Sequence, residues 1–267
     1  NRQLFCVMIK NAMASLILKN LRQKYIWKGV RYRMDDMELA NALAKLFIKE
    51  EFSLELLGKS HNTVYRVLCS NPFALRITAA SHRSRGELAG ELSFLSYLFE
   101  RGAGVAPPIP SLSGETVVAK EANGQIVYAT AFSLAEGNAF WERPNDKNYS
   151  GQIGRELGKI HRLSKNYKPE EAEWKRRFFL EGQHLCNATE IFENYKYDLK
   201  EAYLKFLRRL SMLPKTDLNF GLTHGDFLFS NYNITSEGKV TVFDFDECEY
   251  TWFISDIAVY LYYYLIG

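Results

Sequence analysis

Leu222-Thr-His-Gly-Asp-Phe-Leu-Phe-Ser-Asn231, followed by Val240-Thr-Val-Phe-Asp-Phe-Asp246, decides how this chain reads. The first stretch carries the pattern His-x-Asp-x-x-x-x-Asn, and the second is an apolar strand ending in Asp-Phe-Asp. Phosphoryl transfer needs a carboxylate to take the proton of an acceptor hydroxyl. It also needs an amide oxygen and a second carboxylate to hold Mg²⁺ on nucleotide phosphates. The spacing lets one loop present Asp226 and Asn231 to the same phosphate, and the hairpin that follows returns Asp244 to the same place. Asp and Asn are common turn residues, so each alone says little; the ordered set in a loop–strand–loop setting says much more. Asp226 is therefore the candidate base, and Asn231 and Asp244 are the candidate metal ligands. His224 reads as a packing and hydrogen-bonding residue rather than a second base.

Outward from this segment, the periodicity divides the chain. Residues 36–50 carry an apolar stripe of helical spacing (Met37, Leu39, Ala40, Leu43, Phe47). Strands are expected at 52–57, 63–68 and 73–78, with a turn at Gly58-Lys-Ser-His-Asn62 and Asn71-Pro72 as hairpin punctuation. Residues 84–101 form a helix with Leu88, Leu92, Leu95 and Leu98 on one face, stopped by Gly102 and Gly104. Two short strands follow near 116–120 and 125–133. Helices are expected at 150–165 and 188–212, strand and loop signals return at 222–246, and 252–266 reads as a buried helix. A small sheet with one helix thus precedes a mainly helical region.

This combination resembles the aminoglycoside phosphotransferase family, related to choline and homoserine kinases and built on the protein-kinase-like fold. The resemblance rests on His224-Gly-Asp-x-x-x-x-Asn231 with Phe243-Asp-Phe-Asp246. Asn62-Thr-Val-Tyr-Arg66, Glu91-Leu-Ser-Phe-Leu95, Leu157-Gly-Lys-Ile-His161 and Ser255-Asp-Ile-Ala258 add to it. It covers roughly residues 35–267, and it is closer to bacterial members outside the named resistance enzymes. It implies an α+β, two-lobed fold: a nucleotide-binding lobe over 35–131, a hinge at 132–135 and a helical catalytic lobe over 136–267. The family normally continues with further C-terminal helices. The resemblance implies ATP and Mg²⁺ as cofactors, with Asp226 as base and Asn231 and Asp244 on the metal. Glu91 would pair with a cation on the third strand, Asp256 would brace the catalytic loop, and adenine would sit against Phe132 and Leu134. Two features depart from the pattern. Arg76 stands where a kinase usually has lysine, and a planar fork is not an ammonium point charge. There is no GxGxxG, so the Gly58–Asn62 turn would hold phosphate with few backbone N–H groups, helped by Ser60 and Asn62.

Charge and composition bound the partners. The chain has 267 residues, 34 basic and 31 acidic. Residues 1–34 contain eight basic residues and no acidic one, which leaves 26 basic and 31 acidic residues over 35–267, a balance of −5. Nucleic acid is thus not an expected partner of the catalytic region. The basic start reads either as a transit or membrane-surface helix or as an extension packed on the body. No 18-residue apolar run exists, so no membrane span is expected. Four scattered cysteines without metal-like spacing suit a reduced cytoplasmic protein, and the histidines suggest no zinc site. The acceptor would be a small molecule with a hydroxyl. Asp246, Glu247, Glu249, Tyr250 and Trp252 read either as a solvated acidic loop or as the wall of a site for a cationic amino sugar or amino alcohol. The alternatives to a small-molecule kinase are a protein Ser/Thr kinase and a nucleotide-binding pseudokinase.

Overall fold

The computed structural model describes residues 36–139, 142, 149–182 and 199–266. The expected helix over 1–34, the 188–198 part of the later helix, Phe140 and Trp141 after the linker, His184, Cys6 and Cys186 lie outside the described residues.

Helix α1 spans Asp36–Ala44 and is followed by β1 (Ser53–Lys59), β2 (Asn62–Leu68) and β3 (Phe73–Ala79). Helix α2 is Arg85–Glu100; β4 (Pro108–Ile109), β5 (Val118–Ala122) and β6 (Gln125–Ser133) complete one antiparallel sheet. Its order is β1-β2-β3-β6-β4, with β5 also on β6. The register sets Arg76 opposite Thr130, and Phe132 opposite both Ala74 and Pro108. The strand expected over 125–133 runs to Ser133, so the 132–135 hinge begins inside β6. α1 is shorter than its apolar stripe. Leu46 and Phe47 close back onto Leu43 and Ala44 through i→i−3 bonds that tighten and end the helix. Phe47 then turns under the sheet against Phe73, with ring centroids 6.3 Å apart.

The helical part contains α3 (Ser150–Ser164), α4 (Leu199–Ser211) and α5 (Ile254–Ile266). Two antiparallel strand pairs lie between α4 and α5: β7 (Phe220–Thr223) with β10 (Glu249–Trp252), and β8 (Tyr232–Ile234) with β9 (Val240–Val242). α5, expected to be buried throughout, is buried at Asp256, Ala258 and Val259, while Tyr264 and Leu265 are exposed.

The cores show how the two parts join. Under the sheet, Leu43, Val67, Phe73, Leu75 and Ala129 pack together. The leucine face of α2 does not join them. Leu88, Leu92, Leu95 and Leu98 belong to one cluster with Ile153, Leu157, Ile160, Leu222, Tyr232, Val242 and Phe245. α2 therefore follows the sheet strands in the chain but shares its core with the helical lobe. Ser84 caps it in a reciprocal capping box with Glu87. Leu95→Ala should cost about 3 kcal/mol, the usual result of emptying a closed core site. Leu112→Ala, at a residue 52% exposed, should change stability by no more than about 0.5 kcal/mol. Urea unfolding of both variants checks the contrast.

Candidate active site

β7 delivers the chain into a turn that only glycine can make. Gly225 has φ +81°, and a Cβ there would stand 2.1 Å from the carbonyl oxygen of Glu247. Asp226 follows, half-buried. His224 is fully buried. Its Nδ1 accepts the Asp226 backbone N–H at 3.2 Å, and its Nε2 lies 3.0 Å from the Phe243 carbonyl oxygen. An acceptor at Nδ1 fixes the proton on Nε2, which donates to Phe243. The ring is a strut between the Asp226 loop and the Asp244 strand.

Asp256, on the first turn of α5, holds the loop from below. Its Oδ1 accepts the Gly225 N–H at 2.9 Å, and its Oδ2 accepts the His224 N–H at 3.1 Å. His161 Nε2 reaches the same Oδ2 at 2.8 Å and stacks on Phe253 at 4.7 Å. Burial alone would raise the Asp256 pKa. The bond from His161, its charge and the loop N–H groups outweigh burial and hold the carboxyl below its ordinary value.

The candidate metal ligands lie on the other side of the same loop. Asn231 is buried; its Nδ2 donates to the Asp226 carbonyl oxygen at 2.9 Å, which fixes the direction of its Oδ1. The Phe243 N–H donates to the Asn231 carbonyl at 2.9 Å, so the β8–β9 hairpin closes Asp244 onto the loop. Asp244 has φ +63°, an unusual left-handed backbone for aspartate. Its side chain is open to solvent, yet dense protein surrounds it. That surrounding, then the carboxylate of Asp246, then Glu91 and Asp226, push it up to about 7, against the pull of Arg76. A reachable carboxylate in such a negative field fits a divalent cation, and Asn231 Oδ1, which accepts the Ser230 hydroxyl at 3.1 Å, is the second candidate ligand. Among the described residues no three His, Cys, Asp or Glu side chains form a metal cluster by themselves.

Arg76 and Glu91 meet as the resemblance implied. Nη1 to Oε1 is 2.8 Å and Nη2 to Oε2 is 2.7 Å, with both side chains buried. Burial opposes the Arg76 charge, and Glu91 more than offsets it, so the guanidinium stays above its usual range. It lies over the Phe132 ring at 4.8 Å. Its Nε–H is buried with no hydrogen-bond partner. A buried donor costs about 1–3 kcal/mol until an acceptor reaches it, and a phosphate oxygen is one such acceptor. Ser60 and Asn62 sit at the β1–β2 turn. Ser60 is exposed, while the Asn62 Oδ1 accepts from the Thr78 hydroxyl at 2.7 Å and faces into the sheet. Leu134 lines a cavity with Val105, Pro107, Gln152, Glu156 and Lys239, which contains none of Asp226, Asn231 and Asp244.

The acidic residues beyond Asp244 are committed elsewhere, which corrects the reading of them as a solvated loop or as the wall of a cation site. Asp246 is buried and takes the Arg83 guanidinium on Oδ1 at 3.1 Å and His82 on Oδ2 at 3.0 Å. Glu247 pairs with Arg83 and Arg177, and Glu249 pairs with Arg177. Trp252 donates its Nε1–H to the Pro214 carbonyl. His61, at the β1–β2 turn, stacks on His82 at 4.9 Å, so that turn is tied to the Asp-Phe-Asp segment. Arg83 and His82 carried no sequence signal, because nothing in their spacing reports a partner more than 160 positions away.

Residues 54–266 match the profile of the phosphotransferase enzyme family, and the chain belongs to that family. It is a phosphotransferase of the kinase type on a protein-kinase-like fold. It is similar to amicoumacin kinase of Bacillus subtilis (strain 168), at 32% identity over 231 residues, covering 85% of this chain and 68% of that one. A solved amicoumacin kinase, in complex with AMP-PNP, Ca²⁺ and Ami, superposes with a TM-score of 0.76 at 26% identity, covering 86% of this chain and 69% of the other. The microcompartment-associated aminopropanol kinase, at 21% identity and a TM-score of 0.60, shares the fold. No helix among the described residues is long and apolar enough to cross a membrane.

Asp256→Asn should lower stability at pH 7 by about 2 kcal/mol or more, because a buried acceptor of three donors loses its charge. A carboxyl whose folded pKa is depressed stabilises above its unfolded pKa, near 3.9, and loses that contribution as pH falls through the folded value. Urea unfolding between pH 3 and 7 should therefore show a shallower acid limb in the variant. An equally steep limb refutes the assignment.

Proposed function

We propose that the protein transfers the γ-phosphoryl group of ATP, with Mg²⁺, to a hydroxyl of a small molecule. The observation that carries this is the tie between Asp226, Asn231 and Asp244. One loop and one returning strand, joined by the His224 strut and the Asn231–Phe243 bond, bring the segments of Asp226, Asn231 and Asp244 together, which suits a base and two metal ligands.

In this reading the nucleotide lies between the sheet lobe (35–131) and the helical lobe (136–267), with adenine against the linker 132–135 at Phe132 and Leu134. Arg76 meets phosphate with its free Nε–H while Glu91 holds its fork. Ser60 and Asn62 add the β1–β2 turn. Asn231 and Asp244 hold Mg²⁺, which when bound neutralises phosphate charge. Asp226 orients the acceptor hydroxyl and takes its proton. The hydroxyl oxygen bonds to the γ-phosphorus, the bond from phosphorus to the β–γ bridging oxygen breaks, and ADP leaves with that electron pair. The rate comes from positioning and charge placement.

The acceptor classes that suit this reading are amino sugars, amino alcohols and similar metabolites. Amicoumacin is the first compound to try, from the similarity to amicoumacin kinase. A protein acceptor is disfavoured by the stretch between Asp246 and Asp256. β10 fills it, paired along β7, which leaves no long segment to seat a polypeptide.

Phosphorylated product should appear when ATP and Mg²⁺ are incubated with an acceptor panel led by amicoumacin and read by mass spectrometry, and EDTA should abolish it. Asp226→Asn should cut turnover about 10²–10⁴-fold, the usual worth of a positioned base. Undiminished turnover in that variant refutes the role of Asp226.

A further inference from the structure

The segment after α3 crosses α2 backbone to backbone. Residues Ala172–Trp174 form a 3₁₀ turn against that helix. A Cβ at Gly90 would stand 2.0 Å from the Trp174 carbonyl oxygen, and one at Gly86 would stand 2.7 Å from that of Glu173. These glycines are four apart and share one helix face. Each costs the helix roughly 0.5–1 kcal/mol relative to alanine, so the close approach outweighs a loss in helix propensity.

Arg176 follows directly, buried at 3% exposure. Its Nε donates to the Cys248 carbonyl at 2.8 Å, its Nη1 to the Glu87 carbonyl at 2.9 Å, and its Nη2 to the Asp246 carbonyl at 2.6 Å. Glu87 is one turn before Glu91 on α2. Asp246 and Cys248 are on the segment leaving Asp244. One planar fork thus spans the helix that carries Glu91 and the strand end that carries Asp244. Beyond it, the strap stays anchored, because the Tyr250 N–H donates to the Arg177 carbonyl.

We propose that Arg176 is a positioning residue for phosphoryl transfer. With the strap seated on Gly86 and Gly90, it sets the distance of α2 from Asp244, and through Glu91 it sets the place of the Arg76 guanidinium. It touches no reacting group itself. The inference rests on the phosphotransferase reading above.

Arg176→Lys tests it, because an ammonium keeps the charge but gathers its donors on one atom, losing the fork whose Nε, Nη1 and Nη2 each hold a separate carbonyl. Four quantities are measured on wild type and variant: the affinity for Mg·AMP-PNP by calorimetry, the KM for ATP, the KM for the acceptor, and the urea midpoint. The expected result is an affinity for Mg·AMP-PNP weakened roughly fivefold or more, matched by the KM for ATP, with the acceptor KM unchanged. A lowered urea midpoint with unchanged nucleotide affinity per folded molecule means a merely structural arginine and overturns the proposal. If Arg176→Lys does not fold, Gly90→Ala, which disturbs the seat without touching Arg176, is held to the same two outcomes. A wild type that binds no nucleotide overturns the phosphotransferase reading together with this one. A wild type that binds, with a variant that binds equally well, overturns this one alone.

Discussion

The site hangs from one buried carboxylate. Asp256 accepts the N–H groups of His224 and Gly225 and the ring of His161, all from the first turn of α5. The bond to Gly225 fixes the left-handed turn, and the turn aims Asp226. The bond to His224 sets the strut that reaches Phe243, and the Phe243 N–H in turn grips Asn231. A helix N-terminus is a favourable place for such a charge, because its dipole is positive there. The geometry of the candidate base and the candidate metal ligands is therefore inherited from a residue that touches neither.

The Asp-Phe-Asp segment shows how two like side chains are given different tasks. Phe245, fully buried against His224 at 4.4 Å and Phe94 at 6.0 Å, pins the middle of the segment into the core. Asp246 falls on the side of Arg83 and His82 and is held well below its ordinary pKa, since their bonds and charges outweigh its burial. Asp244 falls on the other side with its side chain open to solvent, and the dense protein around it first, then three carboxylates, raise its pKa against one opposing arginine. Environments that push paired carboxylates apart in pKa suit a division of labour: Asp246 joins elements, and Asp244 is the candidate metal ligand.

What the sequence made legible follows the range of the interactions. Asp226, Asn231 and Asp244 stand close together in the chain, so their spacing exposed them. The Arg76–Glu91 pair emerged only through the family resemblance. Arg83 and Arg176 bond partners 60 or more positions away, several of them backbone carbonyls, which leave no side-chain signature. Glu247 and Glu249 were misread because a run of acidic residues shows its sign and hides its partners. The leucines of α2 announced an apolar face but not its neighbour, and chain order pointed to the sheet. Helix α1 ended early because Phe47 gains more under the sheet than in another helical turn.

That shared core has a consequence for how the molecule comes apart. If α2 packed only on the sheet, the two parts could loosen one at a time. Here Leu88, Leu92, Leu95 and Leu98 lie against Ile153, Ile160 and Phe245, while Glu91 on the same helix holds the sheet through Arg76. Opening the helical lobe strips α2 of its bed and leaves the Arg76 guanidinium buried without its counter-charge. Opening the sheet leaves Glu91 in the same plight. Neither part has a cheap partly unfolded form, so α2 welds a two-lobed architecture into one cooperative folding unit.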